Sequence, residues 1–193
     1  NTLVKIGVLA LQGDFHEHMS CFKKLNVDSS EVRSKPDLEN VDALVIPGGE
    51  STTISKLLKS TKLDEMIVKK SSEGMAIWGT CAGLIMISKN IKENDPKPLG
   101  LLDITVSRNY YGRQIDSFVE NIKFDSGNIP FEAVFIRAPA IVEIEKSVKT
   151  IAKSENNMPV AVRQNNILGT SFHPELTNDL RIHKYFIEMV AII

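Results

Sequence analysis

Short apolar runs alternate with amphipathic stretches through the first half of the chain. The segments Val4–Leu11, Ala43–Ile46 and Ala76–Gly79 are almost wholly apolar, and each is followed by a glycine-containing segment. Apolar runs of this length beside turn residues are typical of buried β-strands. We therefore predict three buried strands in this half of the protein.

Each predicted strand is followed by a stretch with helical periodicity. Asp14 is placed to cap the first helix, a second helix is predicted from Ser51, and a third, buried helix from Leu84. The first helix has an apolar face formed by Phe15, Met19, Phe22 and Leu25. This β-α-β-α-β-α order favours a parallel sheet with helices on both faces.

The second half of the chain carries shorter strands separated by turns. Apolar alternation predicts strands at 104–106 and 122–124, and Asn165-Asn166 between two β-prone runs predicts a hairpin. A final helix is predicted over Leu180–Ile192. The fold class is therefore α/β with a short-stranded antiparallel portion in the C-terminal half, and we expect residues 1–193 to form one domain.

Composition narrows the class of protein. The 193 residues include 23 basic and 24 acidic side chains, a net charge of −1, so no nucleic-acid partner is indicated. No apolar run approaches the length of a membrane span, and the N-terminal stretch lacks the pattern of a signal peptide. The two cysteines, Cys21 and Cys81, form no C-x-x-C pair, which favours a reducing compartment. We expect a cytoplasmic protein that makes no membrane contact.

The third predicted strand runs directly into the segment Gly79-Thr80-Cys81-Ala82-Gly83. A cysteine with small neighbours on a strand-to-helix turn is typical of a nucleophile elbow, which exposes the sulfur and lets a substrate approach. Taken alone, Cys81 could be a small buried hydrophobic residue. The histidine and glutamate described next make a nucleophile the favoured interpretation.

The segment His173-Pro174-Glu175 follows the last predicted strand. On an extended segment, residues two apart point to the same face, which places Glu175 to orient His173 and fix its tautomer. Pro174 disfavours the helical conformation at His173. We therefore predict a catalytic triad of Cys81, His173 and Glu175.

The turn Pro47-Gly48-Gly49-Glu50-Ser51 is a second candidate element of the site. It lacks the lysine of a phosphate-binding P-loop, but its glycines allow a backbone N–H to face an oxyanion. The N–H of Ala82, directly after the nucleophile, is the natural second donor. Arg108 and Arg137 border apolar strands, where each is either a carboxylate clamp or a plain surface residue.

The remaining histidines and the other cysteine are interpreted as structural. His16-Glu17-His18 lacks the i, i+4 spacing of a helical zinc pair and is assigned to a helix surface. His183 is assigned to a helix surface as well, and Cys21 to the buried face of a helix. We predict no metal site.

Three motifs resemble the class I (triad) glutamine amidotransferases: G-T-C-A-G at 79–83, P-G-G-E-S-T at 47–52 and S-F-H-P-E-L at 171–176. Segments 7–15, 108–118 and 135–139 narrow the resemblance to the glutaminase subunits of pyridoxal 5′-phosphate synthase, from about Lys5 to Val190. The triad motif specifies only the superfamily, whereas R-N-Y-Y-G-R-Q-I-D-S-F at 108–118 is the family-specific signal.

The resemblance implies a flavodoxin-like three-layer sandwich with a mostly parallel central sheet. It implies hydrolysis of L-glutamine to L-glutamate and ammonia through a thioester on Cys81, with oxyanion donors at Gly49 and Ala82. The glutamine-binding positions it implies are Gly49, Glu50, Ser51, Arg108, Ile136 and Arg137. Ammonia would pass to a synthase subunit that builds the cofactor from ribose 5-phosphate and glyceraldehyde 3-phosphate, and the glutaminase itself needs no metal or organic cofactor.

Three other functions share part of this pattern. The glutaminase subunit of another biosynthetic amidotransferase would keep the triad but lack the 108–118 block. A cysteine peptidase or related hydrolase would attack peptides rather than free glutamine. A non-catalytic regulatory protein would have no chemical reason to keep all three triad side chains.

Overall fold

The computed structural model describes residues 3–111, 117–127 and 129–192, so positions 112–116 of the family-specific block lie outside the described residues. The described strands are β1 (Lys5–Leu9), β2 (Asp28–Val32), β3 (Ala43–Ile46), β4 (Ala76–Thr80), β5 (Ser88–Ile91), β6 (Leu102–Ser107), β7 (Ser117–Phe124), β8 (Phe131–Ile136), β9 (Ala140–Ile144), β10 (Lys149–Lys153), β11 (Pro159–Gln164) and β12 (Ile167–Thr170). The α-helices are α1 (Phe15–Lys24), α2 (Lys35–Glu39), α3 (Ser51–Ser60), α4 (Leu63–Ser72), α5 (Ala82–Ile87) and α6 (Arg181–Ile192), and a 3₁₀ turn covers Pro174–Leu176.

The strands form a nine-stranded sheet and a three-stranded sheet. The large sheet has the order β2-β1-β3-β4-β12-β11-β10-β7-β8. Its first five strands pair in parallel and the remaining pairings are antiparallel. The predicted α/β class is therefore confirmed, and the antiparallel portion lies in the C-terminal half as expected. The small sheet, β5-β6-β9, covers part of one face.

Side chains alternate between two cores along the central strands. On β3, Ala43 and Val45 pack with α1 and α6, whereas Leu44 and Ile46 pack with α3, α4, α5 and the small sheet. Successive side chains of a strand point to opposite faces, so an apolar run can serve both cores. This arrangement gives the predicted three layers. Among the described residues, no helix combines the length and apolar character required to cross a bilayer.

The sequence prediction missed six elements: β2, α2, α4, β5, β9 and β10. β2 lies at the edge of the large sheet, and its sequence DSSEV has exposed and partly buried positions in place of an apolar run. α2 has only five residues and is capped by Ser34, whose hydroxyl accepts from the Asp37 N–H at 3.4 Å. Short or edge elements carry too few apolar positions for periodicity to reveal them.

Candidate active site

Two adjacent parallel strands bring the predicted nucleophile and base to one edge of the sheet. β4 and β12 pair in register, with Thr80 opposite Thr170, and the Cys81 N–H donates to the Thr170 carbonyl at 2.9 Å. The Thr80 hydroxyl donates to the Phe172 carbonyl at 2.7 Å, which ties the strand end before Cys81 to the residue before His173. Carboxyl ends of parallel strands are the usual location of a site in such sheets.

Cys81 has the backbone geometry of a sharp turn between β4 and α5. Its φ of 54° and ψ of −108° lie outside the regions that residues with a Cβ normally occupy. The turn depends on two close backbone approaches, because a Cβ on Gly79 would overlap the Gly83 carbonyl and a Cβ on Gly83 would overlap the Ile46 carbonyl. The predicted elbow is therefore present, and α5 begins at Ala82 rather than at Leu84.

The three predicted triad side chains lie close together. The Cys81 side chain helps to raise the pKa of the His173 imidazole, and Nδ1 of that ring lies 2.9 Å from Oε2 of Glu175. All three residues are buried, with 4–6% of their surface exposed. Since Nδ1 faces the carboxylate, Nε2 is the nitrogen left to exchange a proton on the other side of the ring.

The local conformation around Glu175 differs from the prediction. Pro174–Leu176 is a 3₁₀ turn with Pro174 at its first position, rather than an extended segment. The expected extended conformation is wrong, because a proline is favoured at the start of a helical turn. His173 itself stays non-helical at φ −108° and ψ 82°, so its ring and the Glu175 carboxylate still meet on one side.

Neighbouring acidic groups favour the charged form of the imidazole. Burial alone would lower the pKa of this ring, but the interactions with Asp14, Cys81 and Glu175 outweigh burial and raise it to about 12. Burial raises the pKa of the Glu175 carboxyl group, and its hydrogen bond to His173 partly offsets that effect. The positive charge of the His173 ring and the negative charge of the Glu175 carboxylate therefore stabilise each other.

Asp14 was predicted only as a helix cap, and that role is wrong. It precedes α1, but its side chain makes no capping hydrogen bond, and its Oδ2 lies 3.4 Å from Nδ1 of His173. At 2.9 Å, Glu175 is the closer acceptor for the same nitrogen. Among the described residues, Asp14, His173 and Glu175 form the one group whose ligand atoms are spaced closely enough to hold a metal ion. The His173 nitrogen that would bind such an ion already forms a hydrogen bond with Glu175.

The glycine turn after β3 packs against the His173 ring. A Cβ on Gly48 would collide with the His173 ring, and the Gly48 carbonyl accepts from the Asp14 N–H at 2.9 Å. Because a peptide unit is planar and trans, the Gly49 N–H points the opposite way from that carbonyl. Gln12, which the sequence analysis did not select, accepts from the Glu50 N–H at 2.8 Å and holds this turn. Its position at the end of β1 was the signal available.

Glu50 is the N-cap of α3, and its carboxylate accepts from the N–H groups of Thr52 and Thr53 at 3.2 and 2.7 Å. Burial opposes ionisation, but these hydrogen bonds and those from the two threonine hydroxyls lower the pKa of Glu50 to about 2. The Arg108 guanidinium lies 3.9 Å from Glu50 Oε1 and donates to the Asp95 carbonyl at 2.7 Å. Ser51 is buried at the first position of the helix.

The end of β8 contacts the Cys81 sulfur. Cys81 Sγ lies 3.6 Å from the Ile136 carbonyl oxygen, to which the thiol donates. Arg137, the next residue, has a φ of 44°, an uncommon value for a residue with a side chain. The structure thus brings the backbone of Ile136 to the Cys81 sulfur, with Arg137 next in sequence, and places Arg108 beside Glu50.

Two histidines assigned to helix surfaces are instead fully buried. His18 on α1 and His183 on α6 have no exposed surface, and both rings pack edge-on against Trp78. Those two assignments are wrong, because the two helices pack on the same core. Cys21 is buried, as predicted, and its Sγ lies 3.9 Å from the Glu175 carbonyl oxygen.

Comparisons with known proteins match this geometry to one group. The family model described as the SNO glutamine amidotransferase family matches residues 8–192. The pyridoxal 5′-phosphate synthase subunit PdxT of Thermotoga petrophila is 48% identical over 97% of this chain and 100% of its own length. The protein of the same name from Thermosipho africanus is 49% identical over 97% of this chain and 99% of its own. A crystal structure of a glutamine amidotransferase superposes with a TM-score of 0.91 at 45% identity, covering 96% of this chain and 98% of the other.

Proposed function

The chain belongs to the SNO glutamine amidotransferase family, and from that membership we propose that it hydrolyses L-glutamine and delivers the ammonia to a pyridoxal 5′-phosphate synthase. The observation that carries the proposal is the position of Cys81 and His173 beyond the adjacent carboxyl ends of β4 and β12, with the His173 ring hydrogen-bonded to Glu175. A thiol, an imidazole and a carboxylate in this order form a nucleophile, its base and an orienting group.

The reaction follows from the positions of these groups. The Cys81 thiolate attacks the side-chain amide carbon of glutamine, and the imidazolium of His173 gives its proton to the departing nitrogen as ammonia. The resulting γ-glutamyl thioester is then attacked by water, whose proton His173 takes up. Collapse of the second tetrahedral intermediate releases glutamate and restores the thiolate. Glu175 holds the ring and supports its positive charge throughout.

Two backbone N–H groups are proposed as the oxyanion hole. Ala82 begins α5, so its N–H is among the first-turn donors that helices leave free, and the fixed orientation of the Gly48 carbonyl supports Gly49 as the second donor. Such donors act on the charge that develops in the transition state.

The glutamine-binding positions are also proposed. Near the sulfur lies the Ile136 carbonyl, suited to an ammonium group, and the adjacent Arg137 is suited to a carboxylate. On the other side, the Glu50-Ser51 turn and Arg108 would bind the remaining polar groups of the amino acid.

The partner is proposed to be the synthase subunit of the same pathway. Both relatives carry the name of a pyridoxal 5′-phosphate synthase subunit, and this chain spans nearly all of their length. The synthase would combine the ammonia with ribose 5-phosphate and glyceraldehyde 3-phosphate. We propose a cytoplasmic location, and a glutaminase that requires no metal or organic cofactor.

The first test concerns the nucleophile. A diazo-ketone analogue of glutamine should add one equivalent to the protein, at Cys81, and Cys81→Ala should abolish glutamate release. Cys21→Ala is the matched control, because Cys21 is the other buried free cysteine. This variant should retain glutaminase activity. Labelling of Cys21 instead, or an active Cys81→Ala variant, contradicts the mechanism.

The second test concerns the pathway. The chain is mixed with the synthase subunit, the two sugar phosphates and glutamine carrying ¹⁵N in its side-chain amide. Pyridoxal 5′-phosphate containing ¹⁵N is the expected product, and Cys81→Ala should yield it only when ammonium salt is added. Glutamate release without label transfer would indicate another biosynthetic amidotransferase, and cleavage of peptide esters in preference to glutamine would indicate a cysteine hydrolase.

A further inference from the structure

Two buried imidazoles continue the triad on the far side of Glu175. His18 Nδ1 lies 2.9 Å from His183 Nε2, although the two residues are 165 positions apart. His18 Nε2 lies 3.7 Å from Oε2 of Glu175, the same oxygen that accepts from His173. The side chains of His18 and Glu175 have no exposed surface. A continuous series of polar groups therefore runs from α6 through α1 to the sulfur.

The protonation of this pair follows from its surroundings. Burial and the neighbouring imidazoles lower the pKa of His18, and burial lowers the pKa of His183 to about 3, so both rings are neutral at pH 7. If His18 donated to His183, its bare Nε2 would face the Glu175 carboxylate, lone pair against lone pair. If His183 donates instead, Nε2–H of His18 points at that carboxylate and the only unpaired atom of His183 is an acceptor. In the second arrangement, one proton lies between the two imidazoles and another lies between His18 and Glu175, so each contact has a donor and an acceptor.

We infer that His18 is a positioning residue for the proposed glutamine hydrolysis, on which this inference rests: its Nε2–H, in a tautomer selected by His183, keeps Glu175 ionised and directed at His173. The need for such a donor follows from the groups that face Glu175. Burial and the negative charge of Asp14 disfavour the carboxylate, whereas the His173 ring favours it. Among the described residues, the Cys21 thiol donates to the backbone carbonyl of Glu175, and Oε1 of Glu175 accepts no hydrogen bond. Nε2 of His18 makes no hydrogen bond of normal length either, so its N–H acts on the Glu175 carboxylate electrostatically across 3.7 Å.

The inference predicts a change in the pH dependence of Cys81 reactivity. Without the His18 N–H, Glu175 takes up a proton at higher pH, the imidazolium loses its support, and the thiolate is lost. On a plot of alkylation rate against pH, the acid limb is the range in which the rate rises with pH. In His18→Leu this limb should therefore move to higher pH by about one unit. The shift is no larger because an N–H at 3.7 Å interacts more weakly than a full hydrogen bond. At a fixed pH on that limb, the rate should fall about tenfold.

The experiment measures the rate of Cys81 modification by iodoacetamide from pH 4 to 9 in the full chain, with the site identified by mass spectrometry. Alkylation requires no glutamine, so its outcome is independent of whether glutamine is the substrate. His18→Gln keeps an N–H donor near the position of Nε2 and should restore the wild-type limb. Phe22→Leu is the matched packing control, since Phe22 is fully buried on the same helix and contacts His183 without a polar group.

Thermal unfolding shows which variants fold. A shifted limb in His18→Leu, rescue in His18→Gln and an unchanged limb in Phe22→Leu support the inference. A limb in His18→Leu that coincides with the wild type, or an equal shift in Phe22→Leu, overturns it. If His18→Leu does not fold, His183→Leu replaces it, because losing the tautomer lock should shift the limb in the same direction, and an unchanged limb there overturns the inference as well.

Discussion

The strained backbone of Cys81 leads to a testable prediction about the free energy of unfolding. At φ 54° and ψ −108°, the residue occupies a conformation that costs roughly 2–3 kcal/mol when a Cβ is present. Hydrogen bonds from the Cys81 N–H to Thr170 and from the Ile85 N–H to the Cys81 carbonyl hold the backbone there. Cys81→Ala keeps this strain, whereas Cys81→Gly removes it. Both variants lack the sulfur, so their difference isolates the backbone.

Glycine also stabilises the unfolded chain, which costs about 0.5–1 kcal/mol relative to alanine. Subtracting this from the strain, we expect Cys81→Gly to be more stable than Cys81→Ala by about 1–2.5 kcal/mol. For a chain of this size, that difference corresponds to a rise of roughly 2–10 °C in Tm. Urea unfolding followed by circular dichroism would measure it directly.

The adjacent residue supplies the control. Ala82 lies in α5 with ordinary helical geometry, so Ala82→Gly should lower the free energy of unfolding by about 0.5–1 kcal/mol. Opposite signs at two neighbouring positions would identify strain at Cys81 as the cause. If Cys81→Gly is less stable than Cys81→Ala, the elbow stores no strain and the reasoning fails.

Three further predictions concern residues around the site. Glu50→Gln should lower the free energy of unfolding by about 1 kcal/mol at pH 7. Because the pKa of the wild-type carboxyl group is lowered to about 2, this difference in stability should shrink as the pH falls from 4.5 towards 2. Urea titrations that show the same difference at every pH would contradict the capping role. Gly83→Ala should cost about 1–3 kcal/mol in thermal unfolding, since its Cβ would overlap the Ile46 carbonyl, and a neutral result would refute the close approach. Thr170→Val should cost about 1–3 kcal/mol by leaving the Trp78 indole N–H unpaired, whereas Thr170→Ser should not, and equal stabilities would exclude that hydrogen bond.

Much of the fold follows from short stretches of sequence. The apolar run Ala43–Ile46 is a strand with those bounds, and the Asn165-Asn166 turn joins β11 to β12, with Asn165 at a φ of 52°. A strand that is buried on both faces needs four apolar residues in succession, and a tight turn needs a residue that tolerates positive φ. Both requirements are met within a few neighbouring residues, so they can be recognised without the rest of the chain.

The contact of the triad side chains was predictable for a related reason. Residues that follow the carboxyl ends of parallel strands must emerge at one edge of the sheet, so Cys81 and His173 come together once the strand order is recognised. The conformation joining His173 to Glu175 was not predictable, because an extended segment and a proline-led 3₁₀ turn can both place these side chains together. The position of Asp14 shortly after β1 also did not indicate that its side chain would contact His173.

The sequence alone determined the central apolar strands, the helices that follow them and the chemical groups at their ends, because periodicity, glycines and motif residues act over a few positions. Only the tertiary structure decided the environment of His18 and His183, whose spacing on amphipathic helices was equally consistent with exposure. Their burial depends on α1 and α6 packing on the same face of the sheet, against Trp78, and on the 3₁₀ turn that brings Glu175 beneath them. A contact between residues 165 positions apart is set by the packing of whole elements, and no local pattern encodes it.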